Sequence, residues 1–214
     1  MTETIRERVL NEARACFNDM RGSHDWSHTE RVTTLACHIA EKEGADIEIV
    51  ELAALLHDIG RKDEDVRNGA VCHAELGAEK ARAMLGRFGY DGEKAGRVAD
   101  CIRTHRFRKS GQPATLEAEI VFDADKLDCI GAVGIARAFL FAGEVGAVLH
   151  NSHADILKTE PYSREDTAYR EYMVKLRHVK DRLFTEEGKR IAGDRHTFME
   201  RYFQRIDREI AGEV

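Results

Sequence analysis

His28, the adjacent pair His57-Asp58, His73, His105 and the aspartates Asp123, Asp125 and Asp128 are the side chains here whose types could do chemistry together. Imidazole nitrogens and carboxylate oxygens without thiolates suit hard or borderline divalent ions: Mn, Mg, Fe, Ni, Co or Zn. The pair closes an apolar run, Leu52-Ala53-Ala54-Leu55-Leu56-His57-Asp58-Ile59-Gly60. Burying ionisable groups without partners is costly. A cation is the simplest partner for a dyad at the end of such a helix.

The elements that must position these residues read as helices. Ile5, Val9, Leu10, Ala13 and Phe17 recur at a helical period over residues 3–20. Ser23 or Asp25 caps a second helix that runs to Glu43 and ends at Gly44. On it His28 shares the core-facing stripe with Val32, Leu35 and Ile39. Asp46 caps a third helix, where His57 lies over Ala53 and Val50. Arg61 to Asn68 reads as a polar loop, with Gly60 freeing the chain to turn away.

A helix from Cys72 to Phe88 carries His73 in its first turn. Another, from Asp91 to Arg106, brings His105 above Val98, Cys101 and Ile102. A basic loop, 107–113, precedes Leu116 to Phe122, which lead into the three aspartates, any of which could be a ligand by position. The glycines of Gly131–Gly146 predict close helix packing. Leu149–Tyr162 reads as a connection, with His150 and His153 exposed in it. Residues 164–183 and 185–210 predict two charged amphipathic helices. No stretch alternates at period two, so the expected fold is all-α, with ligands converging from separate helices into a bundle core.

Composition narrows the classes. The chain has 214 residues, enough for a sizeable core, and a net charge of −6, which predicts no general nucleic-acid binding. Its five cysteines are scattered and never spaced C-x-x-C, which argues against a disulfide framework or a thiolate zinc site. Residues 1–8 hold no apolar signal core, and no run approaches a membrane span. The expectation is a cytoplasmic protein with no membrane partner.

His28, His57-Asp58 and Asp125 reproduce in order the H…HD…D signature of the HD-domain metal-dependent phosphohydrolase superfamily. The chain also resembles its small stand-alone members in His24-Asp25-Trp26-Ser27-His28, in Leu55-Leu56-His57-Asp58-Ile59 and in Asp123-Ala124-Asp125-Lys126-Leu127-Asp128. The tail around Thr185–Lys189, Arg195-His196 and Phe198–Glu200 is similar as well. The resemblance implies one HD domain over 1–214, with a core near 20–145 and a helical extension near 150–214. It implies His28, His57, Asp58 and Asp125 as metal ligands, leaving Asp123 and Asp128 as supporting or capping residues. His73 and His105 follow the family pattern in which added histidines hold a second metal; alternatively they support a single one.

The resemblance and the ligands together predict hydrolysis of a nucleotide or similar small phosphate ester by a metal-activated water, with Asp58 also steering that water. Phosphate needs cations. Arg61 and Lys62 follow the dyad, Lys126 follows Asp125, and Arg106, Arg108 and Lys109 follow His105. Of the basic residues, Arg31, Lys62 and Lys126 are expected to face phosphate. Alarmone hydrolases of this superfamily carry H-D-x-x-E-D, and Arg61-Lys62 stand at the acidic positions here. That argues against an alarmone substrate. The alternatives are a phosphodiesterase for cyclic or linear dinucleotides at a binuclear centre, though its G-Y-P signature is absent, and a non-catalytic nucleotide-sensing module stabilised by metal. The C-terminal helices could instead pair two copies as a homodimer.

Overall fold

The computed structural model describes residues 4–18, 25–106 and 111–214, and all regular structure among them is helical. The chain divides into two compact units, Met1–Asp125 and Lys126–Val214. The first holds α1 (Ile5–Cys16), α2 (Trp26–Glu43), α3 (Ile47–Leu56), α4 (Arg61–Val66), α5 (His73–Arg87), α6 (Gly92–Thr104) and α7 (Leu116–Leu127) up to Asp125.

Helix α3 is the hub of this unit and packs against α1, α2 and α6. Ile49, Val50, Leu52, Ala53, Ala54, Leu55 and Leu56 are all buried on it. Each fully buried Val, Leu or Ile contributes about 1.5–3 kcal/mol, so packing fixes the helix from Ile49 to Leu56. That rigidity is passed to His57, which caps its C-terminus.

Helix starts are set by short polar side chains. Asp25 Oδ1 accepts the His28 backbone N–H at 3.2 Å and the Ser27 hydroxyl at 2.6 Å, so it is Asp25 that begins the His28 helix. Ser23 and His24 lie outside the described residues, as do 107–110 of the basic loop. Gly44 closes α2 at φ +74°, as expected of a left-handed cap.

Arg61 to Asn68, expected as a loop, begins instead with α4, and Arg61 N–H bonds the Asp58 carbonyl at 2.9 Å. Gly60 does not release the chain, as its torsions are ordinary helical ones (φ −89°, ψ −6°). A Cβ there would meet the His73 carbonyl oxygen at 2.4 Å and the Gly77 nitrogen at 2.9 Å. Glycine is needed so that the backbone after the dyad can touch α5. Gly60→Ala is expected to cost about 1–3 kcal/mol of stability, read as a lowered melting temperature, because the colliding atoms are backbone.

The second unit holds α8 (Gly131–Glu144), α9 (Ala168–Val174) and α10 (Glu186–Ile210), with 3₁₀ turns at Ile156–Lys158 and Leu176–Arg182. The expected helix over 164–183 is broken at Lys175 (φ −137°, ψ −58°). Beyond it Leu176 and Val179, three apart, both turn inward, as three residues per turn allow. Gly134 is small for a different reason from helix packing: a Cβ would meet the Cys129 carbonyl oxygen at 2.1 Å. His150, expected to be exposed, has its side chain buried against Tyr169, with Nε2 2.6 Å from Asp207 Oδ1. His153 is exposed. Among the described residues, no helix is long and apolar enough to cross a membrane.

Candidate metal centre

Six donors from five helices or their ends meet inside the first unit. His28 comes from the first turn of α2, His57 and Asp58 from the end of α3, His73 from the start of α5, His105 from the end of α6, and Asp125 from α7. They form two groups, His28–His57–Asp125 and Asp58–His73–His105, and within each the donor atoms lie within 4.8 Å of one another. In the first, His28 Nε2 is 3.3 Å from His57 Nε2 and 3.4 Å from Asp125 Oδ1. In the second, His73 Nε2 is 3.2 Å from both His105 Nε2 and Asp58 Oδ1.

Asp58 reaches both groups. Its Oδ1 lies with His73 and His105, while Oδ2 stands 3.8 Å from His57 Nε2 and 3.9 Å from His28 Nε2. One carboxylate therefore points an oxygen at each set of imidazoles. All of these side chains are nearly dry: Asp58 is 2% exposed and His57 fully buried, with Asp125 the most open at 13%.

The outer nitrogens of three rings fix their tautomers. His57 Nδ1 donates to the Ala54 carbonyl (2.8 Å), His105 Nδ1 to the Ile102 carbonyl (2.6 Å), and His73 Nδ1 to the Glu64 carboxylate. Arg106 Nη1 also stands 2.7 Å from His73 Nδ1. A guanidinium only donates and a carboxylate only accepts, so the Glu64 contact requires the hydrogen on Nδ1. Arg106 then bonds Glu64, at 3.1 Å. The three rings are left with Nε2 lone pairs facing inward.

That arrangement repels itself unless a cation is shared. His73 and His105 aim lone pairs at one another and at a carboxylate oxygen, with little water to screen them. Protons do not resolve it. Burial lowers the pKa of His57, brings that of His73 down to about 4, and pushes that of His105 far below its usual value, against the pull of Asp58. The donor set fits a divalent ion, with imidazole and carboxylate ligands and outer bonds of the kind that orient metal-binding histidines.

The cations expected to meet phosphate are less tightly gathered. Arg31 Nη1 donates to Ser27 Oγ at 2.9 Å. Lys62 is exposed, with Nζ 3.5 Å from the Asn18 carbonyl. Lys126 follows Asp125 on α7, half-buried, at the start of the second unit. Two other arginines touch the centre directly. Arg61 Nη2 lies 3.4 Å from Asp58 Oδ1 and its Nη1 3.3 Å from Glu64 Oε2, and Arg106 bonds Glu64 from beyond His105. The Glu64 carboxyl is held below its usual range: burial raises it, but the bonds from His73 and Arg106 outweigh that. Nothing in the sequence marks Glu64, because residues 61–68 carry no apolar period that announces a helix. As a helix, the spacing 58, 61, 64 places the three side chains along one side.

Residues 25–130 match the HD-domain family model. Over 212 residues the chain is 36% identical to the Bacillus subtilis protein YpgQ, spanning 96% of this chain and 94% of that one. The crystal structure of YpgQ in complex with ADP superposes with a TM-score of 0.74 at 33% identity, over 96% of this chain and 94% of that one. A predicted HD superfamily hydrolase from an uncultured Thermotogales bacterium gives a TM-score of 0.68 at 33% identity, over 94% and 90%. A symmetrical bis(5'-nucleosyl)-tetraphosphatase of Bacillus subtilis is 29% identical over 135 residues, 55% of this chain and 68% of that protein. This chain belongs to the HD-domain family, and its relatives place it in the HD hydrolase superfamily.

Proposed function

We propose that this chain is a phosphohydrolase of nucleotides or closely similar small phosphate esters, working with two divalent ions. His28, His57 and Asp125 would hold one, His73 and His105 the other, and Asp58 would contribute an oxygen to each. The observation that carries this reading is the buried pair of donor groups, bridged by Asp58, in the second of which the Nε2 atoms of His73 and His105 converge. The ADP complex of YpgQ and the nucleotide named for the tetraphosphatase support a nucleotide as the ligand class.

Divalent ions of this kind make a bound water acidic and polarise a phosphoryl oxygen. The chain's own residues do the rest. The backbone carbonyls of Ala54 and Ile102 hold the His57 and His105 rings in one tautomer and one orientation. The guanidiniums of Arg61 and Arg106, 19% and 14% exposed, stand beside the centre and can meet charge that develops on phosphate oxygens. Arg31, one turn along α2 from His28, would be a further cation for the phosphate.

The second donor group favours one other reading, a phosphodiesterase acting on cyclic or linear dinucleotides. A screen of the Mn²⁺-loaded protein separates the two. It would cover nucleoside mono-, di- and triphosphates, phosphomonoesters, cyclic dinucleotides and bis(p-nitrophenyl) phosphate. The expected result is release of phosphate or pyrophosphate from mononucleotides, lost on chelation. Turnover confined to the diesters selects the second reading. Stoichiometric metal binding without turnover of any ester contradicts both and leaves a sensing module.

A further inference from the structure

Glu64 belongs to neither donor group, yet three cationic or donor side chains converge on it. It accepts from His73 Nδ1, from Arg106 Nη1 at 3.1 Å and from Arg61 Nη1 at 3.3 Å, with its side chain 12% exposed. The other amino nitrogen of Arg61 reaches Asp58 Oδ1 at 3.4 Å. So α4 ties the outer edge of His73 to the Asp58 oxygen that faces it, through one carboxylate and one guanidinium. His57 and His105 are steadied by backbone carbonyls of their own helices. His73 stands at the start of its helix and bonds instead to a side chain from another element, Glu64 of α4.

We propose that Glu64 is a positioning residue for the second ion. It holds His73 with Nε2 aimed into the His73–His105–Asp58 group, and Arg61 and Arg106 clamp the carboxylate so that it cannot swing away. The proposal rests on the two-ion reading above. The chemistry calls for a carboxylate and not merely a polar group of the same size. A carboxylate can only accept, so it enforces the Nδ1–H tautomer. A glutamine can turn its amide nitrogen to His73 and stabilise the opposite tautomer, which places a hydrogen where the ion would bind.

The test is a Mn²⁺ titration of the metal-free full chain followed by electron paramagnetic resonance, with wild type, Glu64→Gln and Arg106→Gln. In wild type a spin-coupled pair signal is expected as the second equivalent is added. In Glu64→Gln the uncoupled signal of the first ion should persist, with the second ion bound about 10–100-fold more weakly, the usual effect of losing such an outer partner. Arg106→Gln should shift the second ion in the same direction by less. Affinity for the first ion should stay at the wild-type value in both variants; a merely structural role would weaken both ions alike. Glu64→Gln binding its second ion as tightly as wild type overturns the proposal. If Glu64→Gln does not fold, an unchanged second affinity in Arg106→Gln overturns it instead. A wild type that takes up one ion or none defeats the two-ion reading itself, and Glu64's role with it.

Discussion

Asp58→Ala is expected to lower metal-dependent turnover by about a thousandfold or more, the largest single-residue effect in the molecule. A metal ion supplies several kcal/mol of charge stabilisation, and each ~1.4 kcal/mol is a factor of ten in rate. Asp58 is singled out because its two oxygens face different donor groups, so its loss weakens both at once. It also leaves Arg61 without one of its two carboxylate partners, which adds a stability cost. His73→Ala removes a donor from one group only and should cost less. The check is kcat/KM for both variants beside metal content. Asp58→Ala within about tenfold of wild type would show that the hydrolytic site lies elsewhere, since a tenfold loss corresponds to only ~1.4 kcal/mol.

Divalent metal is expected to raise the melting temperature by about 5–10 °C when present at a hundredfold excess over its dissociation constant. Binding at that ratio adds about 2.7 kcal/mol, and a chain of this size gains about 2–4 °C per kcal/mol. The stability of the metal-free chain should depend on pH in a defined direction. Burial lowers the pKa of His57, His73 and His105 in the folded chain. The unfolded chain therefore binds protons first as pH falls. Between the ordinary histidine value near ~6.5 and the lowered folded values, metal-free stability should fall by up to about 1.4 kcal/mol per pH unit per histidine. Metal binding needs the neutral imidazole, and the folded imidazoles stay neutral down to their lowered values, so the metal-induced rise should persist over this range and shrink only below it. Melting curves at pH 7.5 and pH 5.5, with and without Mn²⁺, read both effects. A metal-free melting temperature that is the same at both pH values would contradict burial of the three imidazoles in neutral form.

Most of the frame was legible in the sequence because the residues that position the site also form its core. The period that turns His28 inward with Val32 and Ile39 is the period that packs α2, and the apolar run of α3 places His57 wherever that helix is buried. Helix starts at Asp25, Asp46 and Asp91 were readable, because short polar side chains bond the exposed N–H groups of the first turn. Helix α4 was not readable. Arg61-Lys62-Asp63-Glu64-Asp65-Val66 has no apolar stripe, and its helix is held by charged contacts that only the fold brings together, such as Lys80 with Asp63 at 2.5 Å and His73 with Glu64. The break at Lys175 was hidden for the opposite reason, since the apolar spacing around it suits a helix as well as a 3₁₀ turn.

The site divides in the same way. His28, His57 and His105 could be picked out by their places on inward stripes, whereas Asp125 was separated from Asp123 and Asp128 only by the family resemblance, and which donors share a neighbourhood could not be read at all. Asp58 is adjacent to His57 in the chain, yet its Oδ1 lies closer to His73 than either of its oxygens does to His57. Adjacent residues at a helix end point in different directions, and that divergence is what lets one carboxylate stand between two sets of imidazoles. Arg61 and Arg106 looked like ordinary surface charges because nothing in their local sequence announces Glu64.

The most direct test of the two-ion account is an anomalous-scattering map from crystals of the Mn²⁺-loaded protein, collected on either side of the manganese edge. The account predicts two peaks, one bounded by His28, His57 and Asp125 and one by His73 and His105, with Asp58 touching both. A single peak among all six donors, or manganese bound anywhere else in the chain, would contradict it.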